Sequence, residues 1–159
     1  MANTSQSSPT LFDQGRALFN KVMSLYEWIP ASLVGALARF SMFIVFWQSA
    51  RTKVDGLSLS SSAIYLFENE YKVPLLPPEV AAVLATVSEH VFSVLLLVGL
   101  ASRLSATALL FMTLVIQLFV YPDAWAVHST WAVALLYIMV HGPGALSLDH
   151  LVKGSLGKK

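Results

Sequence analysis

LSATALLFMTLVIQLFV, Leu104 to Val120, holds no acidic or basic residue. A helix facing water carries a charged face, and a run this apolar approaches the roughly 17 to 25 residues that cross a ~30 Å hydrocarbon layer. Three other stretches read the same way. Ile29 to Gln48 holds one charge, Arg39; Glu79 to Leu100 holds Glu89 and His90 near its middle; Trp125 to His141 has only histidines as ionisable groups. Backbone amides inside a bilayer have no water to bond, so such segments must be helices, and they are too long and unbroken for barrel strands. The expected fold is an all-α membrane protein: an antiparallel four-helix transmembrane bundle with spans near 29–48, 79–100, 104–120 and 125–141.

Composition points the same way. Of 159 residues, 56% are hydrophobic and 12% charged, with a mean hydropathy of +0.67, which leaves too little polar surface for a water-soluble domain. Ten basic residues against nine acidic ones give a net charge of +1, so no electrostatic footprint for nucleic acid exists. The absence of cysteine removes thiolate catalysis, disulfide exchange, iron–sulfur ligation and the usual structural zinc sites. Redox chemistry would need a cofactor or substrate that the side chains merely hold.

Outside the spans, residues 1–28 alternate apolar and polar positions and so do not read as a cleaved signal. Thr10 with Asp13 resembles a capping box, and Leu11, Leu18, Val22 and Leu25 recur near helical spacing, which predicts an amphipathic helix lying in the interface; a loosely ordered tail is the alternative. In the long connection from Arg51 to Pro78, Ser60-Ser61-Ser62, the Ile64/Phe67/Tyr71 spacing and Pro74, Pro77 and Pro78 predict a short surface helix over one mouth of the bundle. Residues 29–151 form the membrane domain and 152–159 a basic tail. Arg16, Lys21, Arg103, Lys153, Lys158 and Lys159 fall on one side, against Arg51, Lys53 and Lys72 on the other. By the positive-inside rule both termini face the cytoplasm.

A charge inside a bilayer costs about 2.5 to 3.5 kcal/mol on the lenient insertion scale, so Arg39 and Glu89 need partners. Both lie roughly ten residues into antiparallel spans, about 15 Å deep at 1.5 Å per residue, so they are expected to pair near the midplane, either as a structural ion pair or as a proton-handling carboxylate tuned by the arginine. Small residues around them, Ser32, Gly35, Ala36, Ala82, Ala85, Thr86 and Ser93, predict close helix packing. Thr113, Gln117 and Tyr121 follow at intervals of four on one face. With Gln48, Lys53, Glu70, Tyr71, His128 and Trp131 they could line a polar vestibule for a ring-shaped ligand with hydrogen-bonding oxygens, although aromatic and lysine side chains also favour headgroup depth unaided. His90 and His141 are weak candidates for a metal. Their depths differ by roughly 7 Å, which argues against a bis-histidine haem b; no metal and no firmly bound cofactor is expected. His150 falls in a surface stretch. Gly142-Pro143-Gly144 must end the fourth helix, after which Ser147 and Asp149 can bond the freed amides or pair with Arg103.

Several of these pieces, taken in order, resemble one family. Glu68 to Pro78 (ENEYKVPLLPP), Glu89 with the Leu95 to Arg103 run (LLLVGLASR), Tyr121 to Trp125 (YPDAW) with His128 and Trp131, and Gly142 to Asp149 (GPGALSLD) are similar to the DoxX family of small bacterial four-helix membrane proteins, over about Arg39 to Leu151. The resemblance implies a membrane component of redox systems, of the kind linked with thiosulfate:quinone oxidoreductase, antioxidant assemblies and metal stress. By position it carries over Arg39, Lys53, Glu70, Glu89, Arg103, His128 and Asp149. His90 departs from the family's apolar residue at that place.

Two functions of different kind follow: a quinone-interacting subunit of a redox complex in the bacterial inner membrane, acting with partner proteins that carry the electrons, or a non-catalytic anchor or assembly factor whose polar residues only join helices. A small-solute or metal-related permease is a third reading, disfavoured because four short helices form a narrow bundle unless they associate into a homo-oligomer.

Overall fold

The computed structural model describes residues 10–71 and 73–156; Lys72, Lys158 and Lys159, used above for orientation, lie outside the described residues. Helix α1 (Leu11–Tyr26) forms a unit by itself. It starts at a complete capping box, with the Thr10 hydroxyl accepting from the Asp13 amide and the Asp13 carboxylate accepting from the Thr10 amide at 3.0 Å. None of its residues is buried, and Leu11, Leu18 and Leu25 are among its exposed apolar side chains.

The second unit, from Ser32 onward, runs through α2 (Ala31–Arg51), a hairpin of β1 (Val54–Asp55) and β2 (Ser58–Leu59), α3 (Ser61–Asn69), α4 (Pro78–Val98), α5 (Ser102–Phe119), α6 (Trp125–His141) and α7 (Leu148–Leu156). Each boundary has a local cause. Ser60 caps α3 by accepting from the Ala63 amide at 3.1 Å, Pro78 opens α4 at the position where a missing N–H costs nothing, and Gly99 closes it in the left-handed region at φ 73°. The hairpin corrects the expectation of a purely helical connection. Gly56, at φ 64°, follows Asp55 and gives the positive φ that a two-residue hairpin turn requires. Helix α7 is a second departure, beginning where a surface stretch and a basic tail were expected.

Met42 and Phe46 of α2, Leu96 of α4, Ala106 and Leu109 of α5, and Leu135 and Ile138 of α6 make one core cluster. The surface around it is inverted relative to a soluble protein. Arg39, Glu89, Ser93, Thr113, Gln117 and His128 are buried, whereas Leu37, Val87, Phe111, Leu118, Val133 and Val140 are exposed. Polar groups inside and an apolar coat outside form a stable arrangement only when the surrounding medium is hydrocarbon. Helices α2, α4 and α5 are long and apolar enough to cross a membrane, and α6, at 17 residues, is a shorter apolar helix.

Candidate functional site

Lys53 stands just beyond the last turn of α2, four residues after Ser49, so the two side chains rise on one face. Its ammonium donates to the Ser49 carbonyl at 3.1 Å, to the Ser49 hydroxyl at 2.8 Å and to Glu89 at 2.8 Å (Oε2) and 3.1 Å (Oε1). The Ser49 hydroxyl in turn donates to Glu89 Oε1 at 3.0 Å. The Glu89 side chain is 2% exposed and that of Lys53 14%, so the ion pair is sealed at the carboxylate and reachable at the ammonium.

This pair forms part of the wall of a cavity of about 370 Å³. Its lining is otherwise largely apolar and comes from α3 (Phe67), α4 (Ala81, Leu84, Ala85, Phe92), α5 (Phe111, Met112, Val115) and the connections Val73 and Val120. The alanines on α4 supply the room that larger side chains would fill. Tyr71 and Tyr121 complete the lining, their hydroxyls 3.1 Å apart and their rings edge to face at 5.9 Å. Burial pushes the Tyr71 phenol well above its ordinary range, with the Tyr121 hydroxyl and the Glu70 and Glu89 charges acting in the same direction, so it stays a neutral donor.

The expected Arg39–Glu89 pair does not form. Arg39 Nη1 donates to the Leu96 and Leu97 carbonyls at 3.2 and 3.1 Å, and Nη2 to the Leu146 carbonyl. The cause is register: Ser49, ten residues and about 15 Å beyond Arg39 along α2, is the residue whose short side chain meets Glu89, while Arg39 meets Leu96 and Leu97 at the far end of α4. The two charges therefore start at different heights on the antiparallel helices, and the tilt of Cα–Cβ bonds toward each helix's own N-terminus carries them further apart. Arg39 instead satisfies the last carbonyls of α4 and sets a positive charge against the negative end of that helix.

Nor does one vestibule collect the other polar candidates. Helix α5 ends at Phe119, so Tyr121 leaves the face it was expected to share with Thr113 and Gln117 and turns into the Lys53 cavity. Gln117 stays buried, donating through Nε2 to the Pro122 carbonyl and meeting His128 Nδ1 at 2.7 Å through Oε1. Trp131 packs on the His128 ring at 5.0 Å and on Phe46 at 5.7 Å. Gln48 and Glu70 are exposed and do not line the Lys53 cavity. His90 bonds the Thr86 carbonyl at 2.8 Å and sets its edge on Trp47, while His141 stacks on Tyr137. No group of three metal-ligating side chains occurs among the described residues.

At the Gly99 end, Asp149 accepts from the Ala101 and Ser102 amides at 2.8 and 2.9 Å. Ala101, at φ 48°, has no side chain with which to cap α5, so Asp149 caps it from another part of the chain. Arg103 does not pair with Asp149; it donates to the Val140 carbonyl at 3.2 Å, near the end of α6. Ser147 donates to the Gly144 carbonyl and accepts from the His150 amide. Gly144, at φ 81°, lies where a Cβ would come 2.9 Å from Ser32 Cα. Burial opposes the Asp149 charge, but the Ser102 and Ala101 hydrogen bonds and the Arg39 charge outweigh it and hold the carboxyl below its usual range. Its contribution is therefore complete above the ordinary value of 3.8 and lost as pH falls through the lower folded value. Asp149→Asn, which can satisfy only one of the two amides, is expected to cost about 1 kcal/mol and to flatten the acid limb of a thermal-unfolding pH series in detergent.

Ser49, Gly99 and Ser102 were not singled out from sequence as site residues. For Ser49 a usable signal existed, its i, i+4 relation to Lys53; Gly99 and Ser102 acquire their roles through Ser147 and Asp149, 48 and 47 residues away along the chain.

A family model described as DoxX matches residues 35–122. No curated protein and no solved structure matches the chain.

Proposed function

Because the chain belongs to the DoxX family, we propose that it is a membrane subunit of a redox system that binds a quinone in the Lys53–Glu89 cavity and works with partner proteins that deliver the electrons. In this reading α2, α4, α5 and α6 all cross the inner membrane of a bacterial cell as an antiparallel bundle. The hairpin end faces outward and both termini face the cytoplasm, as the positions of Arg103 and Lys153 against Arg51 and Lys53 favour.

The observation that carries the proposal is the Lys53–Glu89–Ser49 set in the wall of an otherwise apolar cavity of about 370 Å³. That volume lies at the lower end of the range for small-molecule sites, and a few convergent polar groups in apolar walls are their usual mark. A quinone supplies paired electron and proton chemistry. Lys53 and the Tyr71 and Tyr121 hydroxyls can donate to a ring oxygen and fix its position. Glu89, two bonds from Lys53 and one from Ser49, can hold or release a proton at its carboxylate.

Full-length protein purified in mild detergent should retain extractable quinone. Ala85→Phe, which fills the cavity, should lose it while unfolding at an unchanged temperature. In membranes containing the partners, Glu89→Gln should keep the quinone but lower quinone reduction about a hundredfold. No retained quinone together with no Glu89 effect would favour the anchor.

A further inference from the structure

A second recess, of about 670 Å³, lies between α5 and α6 and shares only Phe111 with the first. Its hydrogen-bonding character can be read from the network behind it. The Pro122 carbonyl can only accept, so the Gln117 amide nitrogen must face it and Oε1 must face His128. Nδ1 of His128 therefore carries the ring proton, and Nε2 of the neutral imidazole holds a bare lone pair. Among the described residues the buried side-chain polar atoms without a partner are Arg39 Nε and Ser102 Oγ. Nε2 is not among them and no hydrogen bond to it occurs among the described residues, so it keeps some exposure, and the recess is the cavity that His128 lines.

The hydroxyls around it are spent as donors. Thr107 donates to the Arg103 carbonyl at 2.8 Å, Thr113 to the Leu109 carbonyl at 2.8 Å and Ser129 to the Ala126 carbonyl at 3.4 Å. Apart from the indole N–H of Trp125, an exposed residue at the first position of α6, and the second amide N–H of Gln117, the polar groups that line the recess are acceptors. This is the reverse of the Lys53 cavity, where an ammonium and two phenols can donate.

We propose that the α5–α6 recess binds a phenol from the lipid phase, whose hydroxyl donates to His128 Nε2 and whose ring lies against Phe111 and Trp125. A phenol combines a strong O–H donor with a flat apolar body, which suits one inward acceptor in an aromatic-edged apolar slot. This site does not depend on a quinone binding beside Lys53.

The test uses full-length protein in detergent, a 4-alkylphenol and its methyl ether, which keeps ring and chain but lacks the donor. The phenol should bind about tenfold more tightly than the ether and shift the His128 Nε2 resonance in ¹⁵N-histidine spectra. His128→Phe should bring phenol affinity down to that of the ether. Val133→Trp, which fills the recess from an exposed wall position, should abolish binding of both while leaving the His128 resonance in place, so the test survives if His128→Phe does not fold. Ala85→Phe, in the other cavity, should leave phenol binding unchanged. Equal affinity for phenol and ether, an unmoved Nε2 resonance, or loss of phenol binding in Ala85→Phe but not in Val133→Trp would overturn the proposal.

Discussion

Lys53→Met is expected to lower the stability of the detergent-solubilised protein by about 3 kcal/mol, because it leaves a buried carboxylate without its cation. Glu89 is 2% exposed, and with Lys53 gone only the Ser49 hydroxyl still donates to it. Glu89→Gln should cost less. The ammonium it strands can still reach the Ser49 carbonyl and hydroxyl, and at 14% exposure it can recruit water. The double variant Lys53→Met/Glu89→Gln should recover much of what Lys53→Met loses, since no uncompensated charge remains. Thermal unfolding of the four proteins forms a double-mutant cycle. Strictly additive losses would mean that the two groups do not act as a pair.

Gly99→Ala is expected to cost about 2 to 4 kcal/mol, combining the left-handed penalty with overpacking. At φ 73° an added Cβ would stand 2.5 Å from Ser147 Cβ, 2.9 Å from Ser147 Cα and 2.6 Å from Arg39 Nη1. Relief requires α4 to separate from the segment after Gly144, which breaks the Arg39 bonds to Leu96, Leu97 and Leu146 and the Asp149 amide bond to the Gly99 carbonyl. The loss should appear both as a lower unfolding temperature and as faster proteolysis between residues 142 and 150. Gly154→Ala is the control, because Gly154 sits in α7 with nothing within 4 Å of its added Cβ. A Gly99→Ala protein that melts with that control would refute the close approach.

The helices were legible because their causes are local. Charge-free runs, Ser60 as a cap, Pro78 at a helix start and Gly-Pro-Gly as a stop each act within a few residues, and the helix ends differ from expectation by only about two or three positions. What failed to follow from sequence was direction and partnership. Depth counting placed Arg39 and Glu89 level because it assumed that α2 and α4 start at matching heights, whereas Ser49 stands opposite Glu89 and Arg39 opposite the end of α4. The four-residue spacing of Thr113, Gln117 and Tyr121 assumed a helix that stops at Phe119. Asp149 over the start of α5 and Arg39 over the end of α4 join parts of the chain 48 and 57 residues apart, which no local pattern encodes. The Asp55-Gly56 hairpin, in contrast, carried a readable cue that the proline and serine signals around it obscured.

The unequal helices carry a consequence for the lipid itself. At 1.5 Å per residue the 17 residues of α6 rise about 25 Å, whereas the 21 residues of α2 and of α4 each rise about 32 Å. In a bilayer that all four helices cross, as proposed above, hydrophobic mismatch of this kind would make the annular lipids dip beside α6 and the 18-residue α5 and stand higher beside α2 and α4, at a fraction of a kcal/mol per ångström. Short acyl chains relieve that deformation and long ones deepen it, so bilayer thickness becomes a variable to which this protein responds.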